Sequence, residues 1–214
     1  MIDISKKECY KTVSVRSEAV LIEKKSKFIA TVMPCDTEEK ALTFLDEMKK
    51  TYSDATHNVY AYVIDENNIF RYSDDGEPSG TAGMPVLDAI RKSGLVDVAV
   101  VVTRYFGGTL LGTGGLVHAY GKSAKDGLLA SGIIEKRLSA IMSVSCDYTL
   151  SGRLTHFFME KGYLIEDTVY DTLVTYFLPI MLGEKDKFIK EVTEISNGKA
   201  QIKENGTKYV DVAV

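Results

Sequence analysis

Residues 96–128 read VDVAVVVTRYFGGTLLGTGGLVHAYGKSAKDGL. The run Val96–Val102 is almost wholly β-branched. That predicts a strand covered on both faces, because a half-solvated strand would alternate apolar with polar residues. Arg104, Tyr105 and Phe106 lead into a glycine loop, Gly107–Gly115, after which Leu116, Tyr120, Ala124 and Leu128 step by four and predict a helix.

Upstream, Val13, Val15, Val20 and Ile22 mark one extended segment and Phe28, Ala30 and Val32 another, with Lys24, Lys25 and Lys27 between them. Asp36 with Glu39 reads as a capping box for a helix over 37–51, whose apolar positions are Leu42, Leu45, Met48 and Tyr52. Residues 57–64 alternate through Val59, Ala61 and Val63, and the turn Asp65–Asn68 predicts a hairpin into Ile69–Tyr72. Pro85 suits the first turn of a helix over 85–92.

Beyond Gly132 glycine thins out. Strand (138–149), helix (Leu154, Phe157, Phe158), strand (163–170), strand (173–181), helix (Phe188, Val192, Ile195) and strand follow. This βαββαβ order predicts a ferredoxin-like C-terminal domain. Two closing pieces, Ala200–Lys203 and Tyr209–Val212, flank Asn205-Gly206, a hairpin signal. The expected organisation is α+β in two domains, 1–136 and 137–214.

The 214 residues carry 26 Lys+Arg against 30 Asp+Glu, a formal charge of −4. Residues 1–136 hold 17 basic and 19 acidic side chains and the remainder 9 and 11, so each part is −2. A uniformly basic nucleic-acid coat and a polybasic membrane binder are thereby excluded, and any anion must be met by a local patch. Cys9, Cys35 and Cys146 have no metal or redox spacing and point to reduced thiols in a cytoplasm. No apolar run reaches the roughly 20 residues of a membrane span. Twelve of the 17 glycines lie between Gly76 and Gly132, which marks where backbone freedom is concentrated.

Two segments could carry chemistry. A glycine loop at a helix start leaves N–H groups aligned with the positive end of the helix, a setting for an anion, to which Arg104, His118 and Lys122 would add charge. The same glycines equally suit close packing of helix on sheet. No GK[ST] closes the loop, so it is not a P-loop, and it lacks the acidic partner of a dinucleotide fingerprint. The second segment, Asp74-Asp-Gly-Glu-Pro-Ser-Gly-Thr-Ala-Gly83, holds three carboxylates within four residues. They could bind a cation or act as an acid/base pair; alternatively they solvate a turn while Ser79 or Thr81 caps the next helix. His57-Asn58 stands at a strand start, a place where a histidine is more often structural than catalytic. Tyr60, Tyr62, Tyr72, Tyr105, Phe106 and Tyr120 could stack on bases or fill the core. No nucleophile elbow is present.

Four blocks, SKFIA (26–30), ATHNVYAY (55–62), DDGEPSGTAGMPVL (74–87) and VVTRYFGGTLLGTGGLVHAYG (101–121), closely resemble the IMPACT/YigZ family. The resemblance is specific over about 15–130, and the remainder resembles the C-terminal extension of bacterial members. It implies an N-terminal α/β sandwich similar to a small-subunit ribosomal protein and elongation factor G domain IV. The C-terminal part would be similar to that factor's ferredoxin-like domain V. It further implies a cytoplasmic, non-enzymatic translation regulator without a cofactor, a catalytic set or a metal, either monomeric or weakly dimeric. Its partners would be RNA or the ribosome, with a protein partner possible and no membrane. On this reading Lys27, Arg71, Arg104, Gly107, Gly108, Gly112, Gly114, Gly115, His118 and Lys122 form an anion or nucleic-acid surface, in a wider basic set with Lys24, Lys25, Arg91, Lys92 and Lys125. His57, Asn58, Asp74, Asp75, Glu77, Ser79 and Thr81 form a motif pocket. The alternative is a phosphate- or nucleotide-binding enzyme or sensor built from the two glycine-rich loops.

Overall fold

The computed structural model describes residues 7–213. The chain divides into two compact units, Tyr10–Glu135 and Lys136–Val212, and the segment ending at Cys9 goes with the second. The expected division, 1–136 and 137–214, places that segment in the first domain.

The first unit is a five-stranded antiparallel sheet in the order β2-β3-β6-β4-β5. Its strands are β2 (Ser17–Glu23), β3 (Ser26–Pro34), β4 (His57–Ile64), β5 (Ile69–Ser73) and β6 (Val98–Tyr105). β6 is central and buried from Val98 to Arg104, as its almost wholly β-branched run requires. One face is covered by α1 (Glu38–Thr51), through Ala41, Phe44, Leu45 and Met48 against Tyr62, Ile64, Ala99 and Val101. The other is covered by α2 (Gly83–Lys92) and α3 (Gly112–Ala130), through Val86, Leu87, Ile90, Leu116, Tyr120 and Leu128 against Phe28, Ala30, Val59, Val100 and Val102.

Local expectations are corrected at several points. The cap of α1 is Thr37, whose side chain accepts from the Lys40 N–H at 3.2 Å, while Asp36 turns to the Lys40 ammonium. The buried face of α1 runs through Phe44 rather than Leu42, which is exposed, because the helix packs on the sheet through Ala41, Phe44, Leu45 and Met48. Gly112, Gly114 and Gly115 belong to the first turn of α3, which shortens the loop to its first part.

The second unit holds β7 (Ile133–Cys146), α4 (Tyr148–Glu160), β8 (Asp167–Tyr170), β9 (Val174–Met181), α5 (Lys185–Ile195) and β10 (Gln201–Ala213). β7, in which the division of the chain falls, pairs with β9, β9 with β8, and β10 with β7; the short β1 (Cys9–Val13) also joins β7. Leu154, Phe157 and Phe158 of α4 and Phe188 and Val192 of α5 pack on one sheet face, against Ala140, Met142, Val144, Tyr176 and Leu178. β9 alternates strictly, buried at Val174, Tyr176, Leu178 and Ile180. The hairpin expected at Asn205-Gly206 does not form: β10 runs straight through it. Gly206 alone takes a positive φ (110°), and a tight type I′ turn would need one at Asn205 as well. Among the described residues no helix is long and apolar enough to cross a membrane.

Candidate functional site

The site lies at the end of the first sheet where β6 finishes and β4 begins. Register sets Phe28 of β3, Arg104 of β6 and His57 of β4 side by side on the face that α2 and α3 cover. Arg104 continues the β6 inward sequence after Val98, Val100 and Val102, so its guanidinium is drawn into the core, with only 5% of the residue exposed.

A buried charge needs a partner, and Glu77 supplies it: Arg104 Nη1 lies 2.5 Å from Glu77 Oε1, with side-chain exposures of 6% and 4%. The Tyr120 hydroxyl donates to the same oxygen at 2.8 Å. Burial, followed by that carboxylate, pushes the Tyr120 phenol far above its ordinary pKa, so it stays a donor. Arg104 Nη2 and the Gly107 N–H both donate to Ser26 Oγ, at 3.3 and 3.2 Å. The guanidinium sits 5.4 Å from the Phe28 ring centre and 5.5 Å from that of Phe106. His57 Nδ1 donates to the Asp75 carbonyl at 2.7 Å, since a carbonyl can only accept, which turns Nε2 toward Glu77 Oε1 at 3.7 Å.

These groups floor a cleft of about 450 Å³, whose walls come from both glycine-rich segments. Glu77 and Pro78 stand on one side; Phe106, Leu110, Leu111, Gly112, Thr113 and Leu116 stand on the other, with Thr56, His57 and Arg104 between them. The two loops therefore face each other across one space. Its interior holds one buried ion pair and is otherwise mainly apolar.

The carboxylates of 74–83 diverge to separate partners. Asp74 accepts from the N–H groups of Gly80, Ala82 and Gly83 at 2.8, 3.0 and 2.8 Å, so Asp74, and neither Ser79 nor Thr81, caps α2 from outside the helix. Asp75 accepts from the Asn58 N–H. Thr81 Oγ donates to the Pro78 carbonyl and Ser79 is exposed. Among the described residues no three His, Cys, Asp or Glu side chains gather as a cation site.

The candidate anion surface is likewise divided. Lys27 pairs with Tyr105, and Arg71 with Tyr62, on the α1 side of the sheet; Arg71 lies 3.9 Å from Glu38 of α1. Strand alternation thus puts them on the face opposite Arg104. Asn58 is on that face too, its Oδ1 accepting from Thr103 and its Nδ2 donating to the Tyr52 carbonyl. His118 and Lys122 are exposed on α3 and do not line the cleft. Arg91 lies over the Phe70 ring at 4.2 Å and Lys92 lies 3.9 Å from Asp88. One continuous basic face spanning all these residues does not exist.

The glycines also separate by role. A Cβ on Gly107 would fall 2.0 Å from the Lys25 carbonyl carbon, so Gly107 lets the loop lie on the β2–β3 turn. Gly108, at φ 78°, serves the turn itself; Gly114 has open space around it. Ser26, Phe28, Phe106 and Tyr120 are among the contributors that sequence reasoning did not assign to the site. A tyrosine on the buried stripe of a helix was the available signal, because its hydroxyl must find an acceptor inside.

A buried ion pair beneath a two-loop cleft, on a sheet covered by helices on both faces, defines an α/β domain with a recess at its loop end, joined to a second α/β unit. The Impact N-terminal domain model matches residues 24–128, and a domain of unknown function, DUF1949, matches 144–199. The IMPACT family member YvyE of Bacillus subtilis is 42% identical over 96% of this chain and 95% of its own. YigZ of Escherichia coli is 31% identical over 84% and 89%, and Protein IMPACT of Rattus norvegicus 38% identical over 47% and 33%. A solved structure described as the crystal structure of an hypothetical protein superposes with a TM-score of 0.60 at 30% identity, covering 92% of this chain and 97% of its own. The chain belongs to the IMPACT family, with the two-domain architecture of its bacterial members.

Proposed function

We propose that this protein is a cytoplasmic, translation-associated regulator that acts by binding RNA or the ribosome, through the loop end of its N-terminal unit. We read that unit as similar to elongation factor G domain IV. The second unit we read as ferredoxin-like, supported by its strand order β10-β7-β9-β8 with both helices on one face.

One observation carries the binding reading. The β2–β3 turn exposes Lys24 and Lys25, with Lys27 exposed just beyond, and that turn lies directly against the loop bordering the cleft, at Gly107. A local cationic patch beside a recessed, mainly apolar space suits a single strand, its phosphates on lysines and a base off the backbone. Arg104 has no part in the phosphate contacts, being buried and paired. RNA affinity is expected to fall steeply with salt, and Lys24→Glu/Lys25→Glu to reduce the log–log slope by about 1.4. Salt-independent affinity, or no RNA retained at low salt, sinks the reading.

The convergence of both loops on one cleft favours a second reading, a phosphate- or nucleotide-binding enzyme or sensor. Against it, the guanidinium inside the cleft is already committed to Glu77. A metabolite screen giving a ligand that raises the melting temperature, with no RNA affinity, would select it.

A further inference from the structure

We infer that the cleft takes one unstacked nucleobase bearing an exocyclic amino group, an inference that rests on the RNA reading above. The polar groups lining the cleft decide which ligand fits. Arg104 and Tyr120 both donate to Glu77 Oε1, whereas Oε2 accepts no hydrogen bond from any described residue. Among the described residues the buried side-chain atoms left without a partner are Arg104 Nε and Ser123 Oγ; Glu77, whose Oε2 is not one of them, lines the cleft. His57 Nδ1 is committed to the Asp75 carbonyl and its Nε2 faces Glu77 Oε1 at 3.7 Å. A carboxylate oxygen without a hydrogen-bond partner among the described residues calls for an N–H donor from a ligand.

Charge narrows the class. Arg104 already balances Glu77, so a second cation would enter a space with no net negative charge to meet it. A neutral N–H donor meets no such penalty. Phe106 (46% exposed), Leu110 and Pro78 supply walls for a flat ring, and a carboxylate is the usual acceptor for the cytosine amino group. Lys24 and Lys25 stand at the adjoining turn for the backbone of the same strand.

The test compares cytidine and uridine octamers, which differ at this position by amino against oxo while carrying the same backbone charge. In fluorescence-anisotropy titrations of the full chain at fixed salt, the cytidine octamer is expected to bind about tenfold tighter. Glu77→Gln removes that difference and keeps the salt slope. Phe106→Ala, a change at a half-exposed side chain whose fold circular dichroism checks, is expected to weaken the cytidine octamer by about tenfold through lost stacking. Should Glu77→Gln fail to fold, Phe106→Ala with the two octamers still decides. Equal affinity for both octamers, with the salt slope present, overturns the base inference and leaves the RNA reading standing. No affinity for either at low salt overturns both. Cytidine 5′-monophosphate binding as tightly as the octamer overturns RNA as the source of the base.

Discussion

Glu77 and Arg104 meet at 2.5 Å, Oε1 to Nη1, with both side chains almost sealed from solvent. The contact joins the loop after β5 to the end of the central strand, and it sets the character of the cleft above it. Removing one member leaves the other charge buried without compensation. Arg104→Met is therefore expected to destabilise the protein by about 3–5 kcal/mol in urea unfolding. Adding Glu77→Gln to that variant should recover part of the loss. A double variant whose destabilisation equals the sum of the two singles would show that the pair is not coupled.

The glycines of the loop and of the α3 start give opposite responses to the same substitution. Gly107→Ala places a methyl group against the Lys25 backbone at 2.0 Å and should destabilise by about 1–3 kcal/mol or more, since backbone cannot rotate away as a side chain can. Gly114→Ala, with open space and a helical position, should stabilise by about 0.5–1 kcal/mol. Thermal unfolding of the two variants measures both signs.

Asp97 supplies a pH dependence. Burial, as the largest cause, raises its carboxyl above the ordinary aspartate value of 3.8. The native state therefore holds this proton more tightly than the unfolded chain. Its contribution to stability is present at low pH and is lost as pH rises from 3.8 through the raised folded value. Asp97→Asn keeps an oxygen for the Asp65 N–H and suits the left-handed backbone there (φ 54°). The variant should equal or exceed the wild type at neutral pH and flatten the stability profile across that window. A profile unchanged by the substitution would remove Asp97 as its source.

Thiol reactivity should be confined to one site. Cys9 is exposed; Cys35 is buried and its thiol is pushed up to about 12, chiefly by burial, and Cys146 is buried and raised for the same reason. Ellman's reagent should titrate one thiol in the native protein and three after unfolding.

Much of the layered fold was legible because it follows from periodicity. The unbroken apolar run of β6 required two covered faces, and the four-residue steps from Leu116 to Leu128 required a helix on one of them. Errors fell where local signals competed with long-range pairing. Asp36-Glu39 resembles a cap, yet Thr37 has the extended backbone of one. Asn205-Gly206 resembles a turn, yet the chain continues alongside β7.

The candidate site was legible as residue types and illegible as geometry. Local chemistry marked His57, Glu77, Arg104 and the glycine segments, because glycine density and charge within strand ends are properties of the chain itself. Whether Arg104 faced solvent or core depended on the register that sets it between Phe28 and His57, and on the helices covering that face. Likewise, the separation of Lys27 and Arg71 from Arg104 follows from strand alternation within a particular sheet order. The amino-acid sequence by itself determined the family, most of the elements and the overall charge. The tertiary structure alone decided that two distant loops enclose one cleft and that its arginine is neutralised by Glu77. Burial and pairing are relations between segments, and no single segment carries them.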